Sequence, residues 1–107
     1  MGPNRSRFDI IAAILISAMN KWATKTQIMY KANLSFKQLQ KYMKFLMSSG
    51  LIRVSDTNRG RHFRTTPKGI RFLKDYEKIC SYFQSITEEE LYEESEPLKN
   101  LSNYTNT

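Results

Sequence analysis

Two helix-start signatures in quick succession, Thr24-Lys25-Thr26-Gln27 and Ser35-Phe36-Lys37-Gln38, constrain this chain more than any other feature. In each, the first hydroxyl accepts from the backbone N–H three residues on, while the glutamine reaches back to the first residue's own N–H. The first box opens a short helix that ends around Asn33, with Ile28, Met29 and Ala32 facing inward. Asn33-Leu34 is a brief turn. The second box opens a helix that closes at Gly50, a residue suited to the left-handed position after a helix end. Two capped helices joined by a tight turn make a helix-turn-helix candidate.

The second of these helices has two unlike faces. With Leu39 as origin and about 100° per residue, Tyr42, Met43 and Leu46 fall within about 60° of it, whereas Lys37, Lys41 and Lys44 gather on the far side with Gln40 beside them. One face packs, and the other is left to bind.

Upstream, Ser6 caps a helix from about Arg7 to Met19, with Asp9 in the first turn, where the helix dipole favours an acid. Phe8, Ile11, Leu15 and Ala18 are spaced as a buried stripe, which makes this the core helix. Asn20, Lys21 and Trp22 interrupt it. After Gly50 the pattern turns extended. Leu51 to Ser55 is β-branched and partly alternating, residues 56–61 are turn-rich and basic, and His62-Phe63-Arg64-Thr65 alternates again, which together spell a hairpin. Thr66 then caps a helix whose first residue is Pro67, where a missing N–H costs nothing. A helix, a helix-turn-helix and a two-stranded ribbon, in that order, predict a mainly α winged helix-turn-helix with a small β-hairpin, the basic tip being the wing.

The last helix, about Pro67 to Ile86, carries Phe72, Tyr76, Ile79, Phe83 and Ile86 at heptad spacing, with Leu73 and Cys80 widening the seam. Roughly 20 residues at 1.5 Å each make a rod of about 30 Å, and only its first turns can cover the core of so small a domain. Monomers avoid leaving such an aromatic stripe in water, so the sequence predicts homodimerisation through this coiled-coil-like helix. The alternative is that the stripe folds back on the chain's own first helix. From Glu88 onward glutamates, Pro97, asparagines, serines and threonines give little to bury, and the tail is expected to be disordered. The expected organisation is therefore a winged helix-turn-helix core over 1–66, a dimerisation helix over 67–87 and an acidic tail over 88–107.

Composition bounds what such a chain can do. Its 107 residues, 40% hydrophobic and 12% aromatic, suffice for one modest core. No run approaches the roughly 18 apolar residues of a membrane span, which predicts a soluble protein. The apolar stretch Ile10 to Met19 is preceded by Asp9, followed by Asn20-Lys21-Trp22 and lacks a small-residue cleavage site, so it is not expected to act as a signal peptide. A single cysteine, Cys80, excludes an internal disulfide and cysteine-rich zinc sites, and fits a reducing, intracellular setting. Charge is unevenly spread: residues 1–87 balance to +12, whereas residues 88–107 carry one lysine against six glutamates. A positive body attracts polyanions by counterion release, which makes nucleic acid the leading partner, a solvated lysine face being the alternative.

No enzyme emerges. A nucleophile, a base and an orienting group cannot be assembled, and no glycine-rich phosphate loop is present. His62, the single histidine, has no companion at ligand spacing, so neither a metal nor another cofactor is expected. Glu88-Glu89-Glu90 reads as a hydrated acidic run. Cys80 is expected to be a small buried hydrophobe, with a disulfide across a dimer axis or redox sensing as alternatives. Tyr30, Tyr42 and Tyr76 are expected to fill the core with their hydroxyls near its edge. No small-molecule pocket is recognisable.

Thr26 to Tyr30, Leu34-Ser35-Phe36, Gly50-Leu51-Ile52 and the F-x-T-T-P-K-G run from Phe63 to Gly69 resemble the small archaeal winged-helix DNA-binding proteins that dimerise through a long C-terminal helix. The likeness covers about Arg5 to Phe83, with departures at Asn20-Lys21-Trp22 and in the acidic tail. It implies an intracellular, nucleoid-associated DNA-binding dimer, either a transcriptional regulator or a chromatin-associated protein.

On that expectation the helix over 35–49 enters the major groove of double-stranded DNA, where glutamine bonds adenine N6 and N7 and lysine reaches guanine O6 and N7. Gln38 and Gln40 are the candidate base readers, and Gln40 is the better one because Gln38 is divided between cap and base. Lys37, Lys41 and Lys44 suit phosphates, which position without encoding sequence. Arg59 and Arg61 flank Gly60 in the 56–61 wing and suit the backbone or a narrow minor groove. Ser35 serves as cap, and its neighbouring N–H groups can also meet a phosphate. A sequence-preferring regulator is the first expectation. An architectural protein with little preference and a winged-helix module that binds protein are the alternatives.

Overall fold

Each of the first three helices opens on a reciprocal capping box. The computed structural model describes residues 6–83, which form α1 (Arg7–Ser17), α2 (Lys25–Ala32), α3 (Phe36–Ser48), β1 (Ile52–Thr57), β2 (Gly60–Thr65) and α4 (Pro67–Ser81). In α1 the Ser6 hydroxyl accepts from Asp9 N–H at 3.0 Å and the Asp9 carboxylate accepts from Ser6 N–H at 3.2 Å. Asp9 thus does more than offset the helix dipole. The threonine and serine boxes of α2 and α3 close in the same way, with Gln27 and Gln38 returning their side-chain oxygens to the cap N–H groups at 3.0 and 3.2 Å.

Helix ends are equally well defined. Asn33 sits in the left-handed region at φ 55°, which asparagine tolerates better than most residues, and Leu34 N–H donates back to Met29 O. Gly50 ends α3 at φ 77°, the left-handed turn a glycine there was expected to make. α1 stops earlier than Met19. Its last carbonyls are met from β2: the Thr65 hydroxyl donates to Leu15 O at 2.7 Å and Thr65 N–H to Ala18 O at 2.9 Å. A helix end buried beside a sheet needs such partners.

The ribbon is longer, and its turn tighter, than the sequence suggests. β1 and β2 pair antiparallel from Ile52 opposite Thr65 out to Thr57 opposite Gly60, leaving only Asn58 and Arg59 in the turn instead of all six residues 56–61. Thr57 fastens this tip, its hydroxyl accepting from Arg59 N–H and donating to Gly60 O. A feature invisible in the sequence lies at the other edge of β2. Ala23 pairs with Phe63, the two exchanging backbone hydrogen bonds of 2.9 and 2.7 Å. That single bridge pins the segment after α1 against the ribbon.

The core lies within the unit Met1–Glu77. Ile14 and Leu15 of α1, Ile28 of α2, Leu39, Met43 and Leu46 of α3 and Phe63 of β2 are its fully buried large side chains. Phe63 is the ribbon's main apolar contribution, and burying such a ring stabilises by about 1.5–3 kcal/mol. Three sequence expectations are corrected here. Phe8 is exposed instead of buried: it stands in the first turn of α1, with the Phe72 ring beside it at 6.2 Å between centroids. Tyr30 is 77% exposed, since it lies on the face of α2 opposite Ile28 and Ala32. Cys80 is exposed as well; it is flanked by Ile79, itself in water, instead of by core residues.

Along α4 the seam residues differ in setting. Phe72 packs against the core and stacks on Tyr76 at 6.3 Å, and the Tyr76 hydroxyl donates to the Asp9 carboxylate. These two lean on the chain's own α1. Ile79 and Phe83, which belong to the second unit, Lys78–Thr107, are 57% and 55% exposed. α4 ends at Ser81, short of the expected Ile86, and Tyr82 and Phe83 form a turn. Ile86, Glu88-Glu89-Glu90 and the acidic tail over 88–107 lie outside the described residues.

Candidate nucleic-acid interface

α3 is clamped at its far end by the start of α4. Lys68 donates its ammonium to Ser49 O at 2.7 Å, the Thr66 hydroxyl donates to Gly50 O at 2.6 Å, and Thr66 N–H donates to Leu51 O at 3.0 Å. The same Thr66 hydroxyl caps α4 by accepting from Gly69 N–H. One residue therefore ties the turn after α3 to an orphan amide at the start of α4. Gly69 makes the approach feasible: a Cβ on it would stand 2.5 Å from both Leu51 O and Thr65 Cγ2.

Held in this way, α3 buries Leu39, Met43 and Leu46 and leaves Lys37, Gln40, Lys41 and Lys44 in solvent. The four polar candidates thus share one open surface. Gln38 is exposed too, but its side-chain oxygen accepts from both Ser35 N–H and the Ser35 hydroxyl. Ser35 itself accepts from Gln38 N–H, so both residues are committed to the cap. Gln40 is not engaged in this way.

The two wing arginines differ. Arg61 stands opposite Asp56 in the ribbon register and grips its carboxylate with two bonds, Nε to Oδ1 at 2.8 Å and Nη2 to Oδ2 at 3.4 Å. The hydrogen bonds first, and then the charge of Asp56, hold the Arg61 guanidinium proton more tightly than usual. Both side chains are largely exposed, so the pair adds little to stability. It is the one ion pair among the described residues. Arg59 occupies the two-residue turn, exposed and without a carboxylate partner among those residues, which makes it the outermost cation of the wing.

Several surface features escaped the sequence reading. Phe36 falls by angle within the apolar arc of α3 yet is 57% exposed, because it is the first residue of the helix; the Lys25 ammonium stands over its ring, 5.6 Å from the centroid. Arg53 stacks over Trp22 at 5.4 Å, beside the Ala23 bridge. A groove of about 550 Å³ between α1 and α3 is lined by Arg7, Phe8, Ile11, Lys41, Tyr42 and Phe45. Among the described residues no three His, Cys, Asp or Glu side chains gather as a metal site, and His62 is half-buried on β2. No helix among them is long and apolar enough to cross a membrane.

Comparison with known proteins agrees with this architecture. The chain is 36% identical over 75 residues to the uncharacterized protein MJ0290 of Methanocaldococcus jannaschii, an alignment covering 70% of this chain and 34% of that protein. It spans only about a third to a half of the length of the curated relatives it matches. The crystal structure of Sso10a-2, a DNA-binding protein from Sulfolobus solfataricus, superposes with a TM-score of 0.69 at 23% identity, covering 91% of this chain and 96% of that one. A MarR-family transcriptional regulator from Silicibacter pomeroyi superposes with a TM-score of 0.57 at 17% identity, covering 88% of this chain and 68% of that one. At such identities the two structures speak for the fold. Residues 4–91 match the family model described as winged helix-turn-helix, and the chain belongs to that family.

Proposed function

We propose that this protein binds double-stranded DNA, with α3 in the major groove and the tip of the β1–β2 ribbon on the backbone or in the adjoining minor groove. The observation that carries the reading is the single open face of α3 bearing Lys37, Gln40, Lys41 and Lys44, opposite the buried Leu39, Met43 and Leu46. Three ammonium groups at one-turn spacing match a row of phosphates, and a carboxamide beside them can bond adenine. Gln38 and Ser35 contribute through the helix start they build, whose N–H groups and dipole favour a phosphate. Arg59 is the wing residue of choice, whereas a phosphate at Arg61 has to compete with Asp56. The likeness to a DNA-binding protein and to a transcriptional regulator supports the same reading.

The role that fits best is a homodimeric transcriptional regulator acting in the nucleoid, with residues 1–66 as the binding core, 67–87 as the dimerisation helix and 88–107 as an acidic appendage. Of the expected seam, Ile79, Phe83 and Ile86 are the residues proposed to meet a second copy, supported by the exposure of Ile79 and Phe83, whereas Phe72 and Tyr76 lean on α1 of the same chain. Fluorescence anisotropy with a labelled mixed-sequence duplex tests the binding. The logarithm of affinity should fall linearly with the logarithm of salt, Lys41→Ala should lower the slope by about 1, and Lys41→Glu should weaken every duplex alike. No binding at low salt, or charge reversal without effect, would leave a protein-binding module as the better reading. Selection from a random duplex pool separates a regulator, which enriches one motif, from an architectural protein, which enriches none.

A further inference from the structure

We infer that Phe36 reads the 5-methyl group of a pyrimidine, thymine above all, beside the base contacted by Gln40. The inference rests on the DNA-binding reading and adds a base-specific apolar contact to it. Phe36 contributes little to the core, yet the capping box of Ser35 and Gln38 fixes the turn that carries it. Its ring remains 57% exposed, with the Lys25 ammonium 5.6 Å from the centroid. A half-exposed aromatic ring at the first position of a helix is poorly explained by folding alone. Along α3 Phe36 lies one turn before Gln40, so the two side chains are neighbours on the helix surface, about 40° apart. The start of an inserted recognition helix is the part that reaches base edges.

The chemistry selects the ligand. In the major groove the sole apolar group on a normal base is the C5-methyl of thymine, and phenylalanine is among the residues that meet it. Lys25 adds a cation held over the same ring, so an ammonium suited to a phosphate accompanies the apolar probe. Cytosine offers no methyl there unless it is methylated at C5, which supplies the same contact from a second source.

The test removes a single methyl group from the DNA. A duplex that wild-type protein prefers in pool selection is compared with the same duplex carrying deoxyuridine for thymidine, one position at a time, by anisotropy at fixed salt. At one position the wild type should bind the uracil duplex roughly fourfold more weakly, the effect of one buried methyl. Phe36→Ala should bind both duplexes alike, and cytosine at that position should regain affinity on C5-methylation with wild type but not with the variant. Equal wild-type affinity for thymine and uracil at every position overturns the inference without depending on any variant. Full discrimination retained by Phe36→Ala overturns it too. These outcomes leave salt-dependent DNA binding standing, whereas absence of binding to any duplex rejects the underlying reading and Phe36 with it.

Discussion

Gly69 shows how much one missing methyl group can determine. Leu51 O and Thr65 Cγ2 occupy the space a side chain would need, and the neighbouring Thr66 joins the ends of α3 and α4. Gly69→Ala should therefore cost about 1–3 kcal/mol, the range for overpacking a tight site, although alanine is otherwise the better helix former. Urea denaturation checks this; an unchanged midpoint would mean that the α3–α4 junction yields easily. At this scale the sequence was legible wherever the physics is local. Thr24, Ser35, Thr66 and Gly50 do what their immediate neighbours require of them. It was illegible where partners come from afar: the Thr65 hydroxyl bonds a carbonyl fifty residues upstream. The angle of Tyr30 on α2 already turns it away from the buried Ile28 and Ala32, but for Cys80 angle around a helix says nothing of what lies opposite.

Among the elements, α3 was the most legible, since a wide angular separation of apolar and basic residues leaves one way to pack it. The ribbon was recognisable by its alternation, but its register was not. A two-residue turn brings Asp56 opposite Arg61, whereas the wider turn expected from residues 56–61 left both arginines free. The Ala23 bridge had no signature at all, being a single residue on a strand edge. In α4 the heptad spacing was plain, yet it could not divide the seam between residues that lean on the chain's own α1, as Phe72 and Tyr76 do, and residues left for the proposed partner. If a second copy is that partner, light scattering on the full chain should give twice its 12.6 kDa mass, and Phe83→Lys should return the value to one chain. Phe83 is exposed in the single chain, so the substitution should leave the helix content of the winged helix unchanged by circular dichroism. A monomeric wild type would contradict the proposed seam.

For the whole molecule, the basic residues matter through their distribution over a rigid frame. Thr65, Thr66, Lys68 and Gly69 all lie at the passage from ribbon to α4, and together they tie α1, α3 and β2 to one another through satisfied backbone groups. A rigid frame limits the ordering cost that binding would otherwise incur. Residues 88–107 carry enough negative charge to lower the attraction of the whole chain for a polyanion, which tempers the salt dependence expected from the basic body alone. Backbone amide shifts on titration of a short duplex into isotopically labelled protein test the central claim most directly. The largest changes should fall on residues 35–48 and 56–61, with Lys41 and Arg59 among them, while Ile16 and Lys31 on the α1–α2 side stay still. Changes concentrated around Ile16 and Lys31, or no changes at low salt, would contradict a DNA-reading α3.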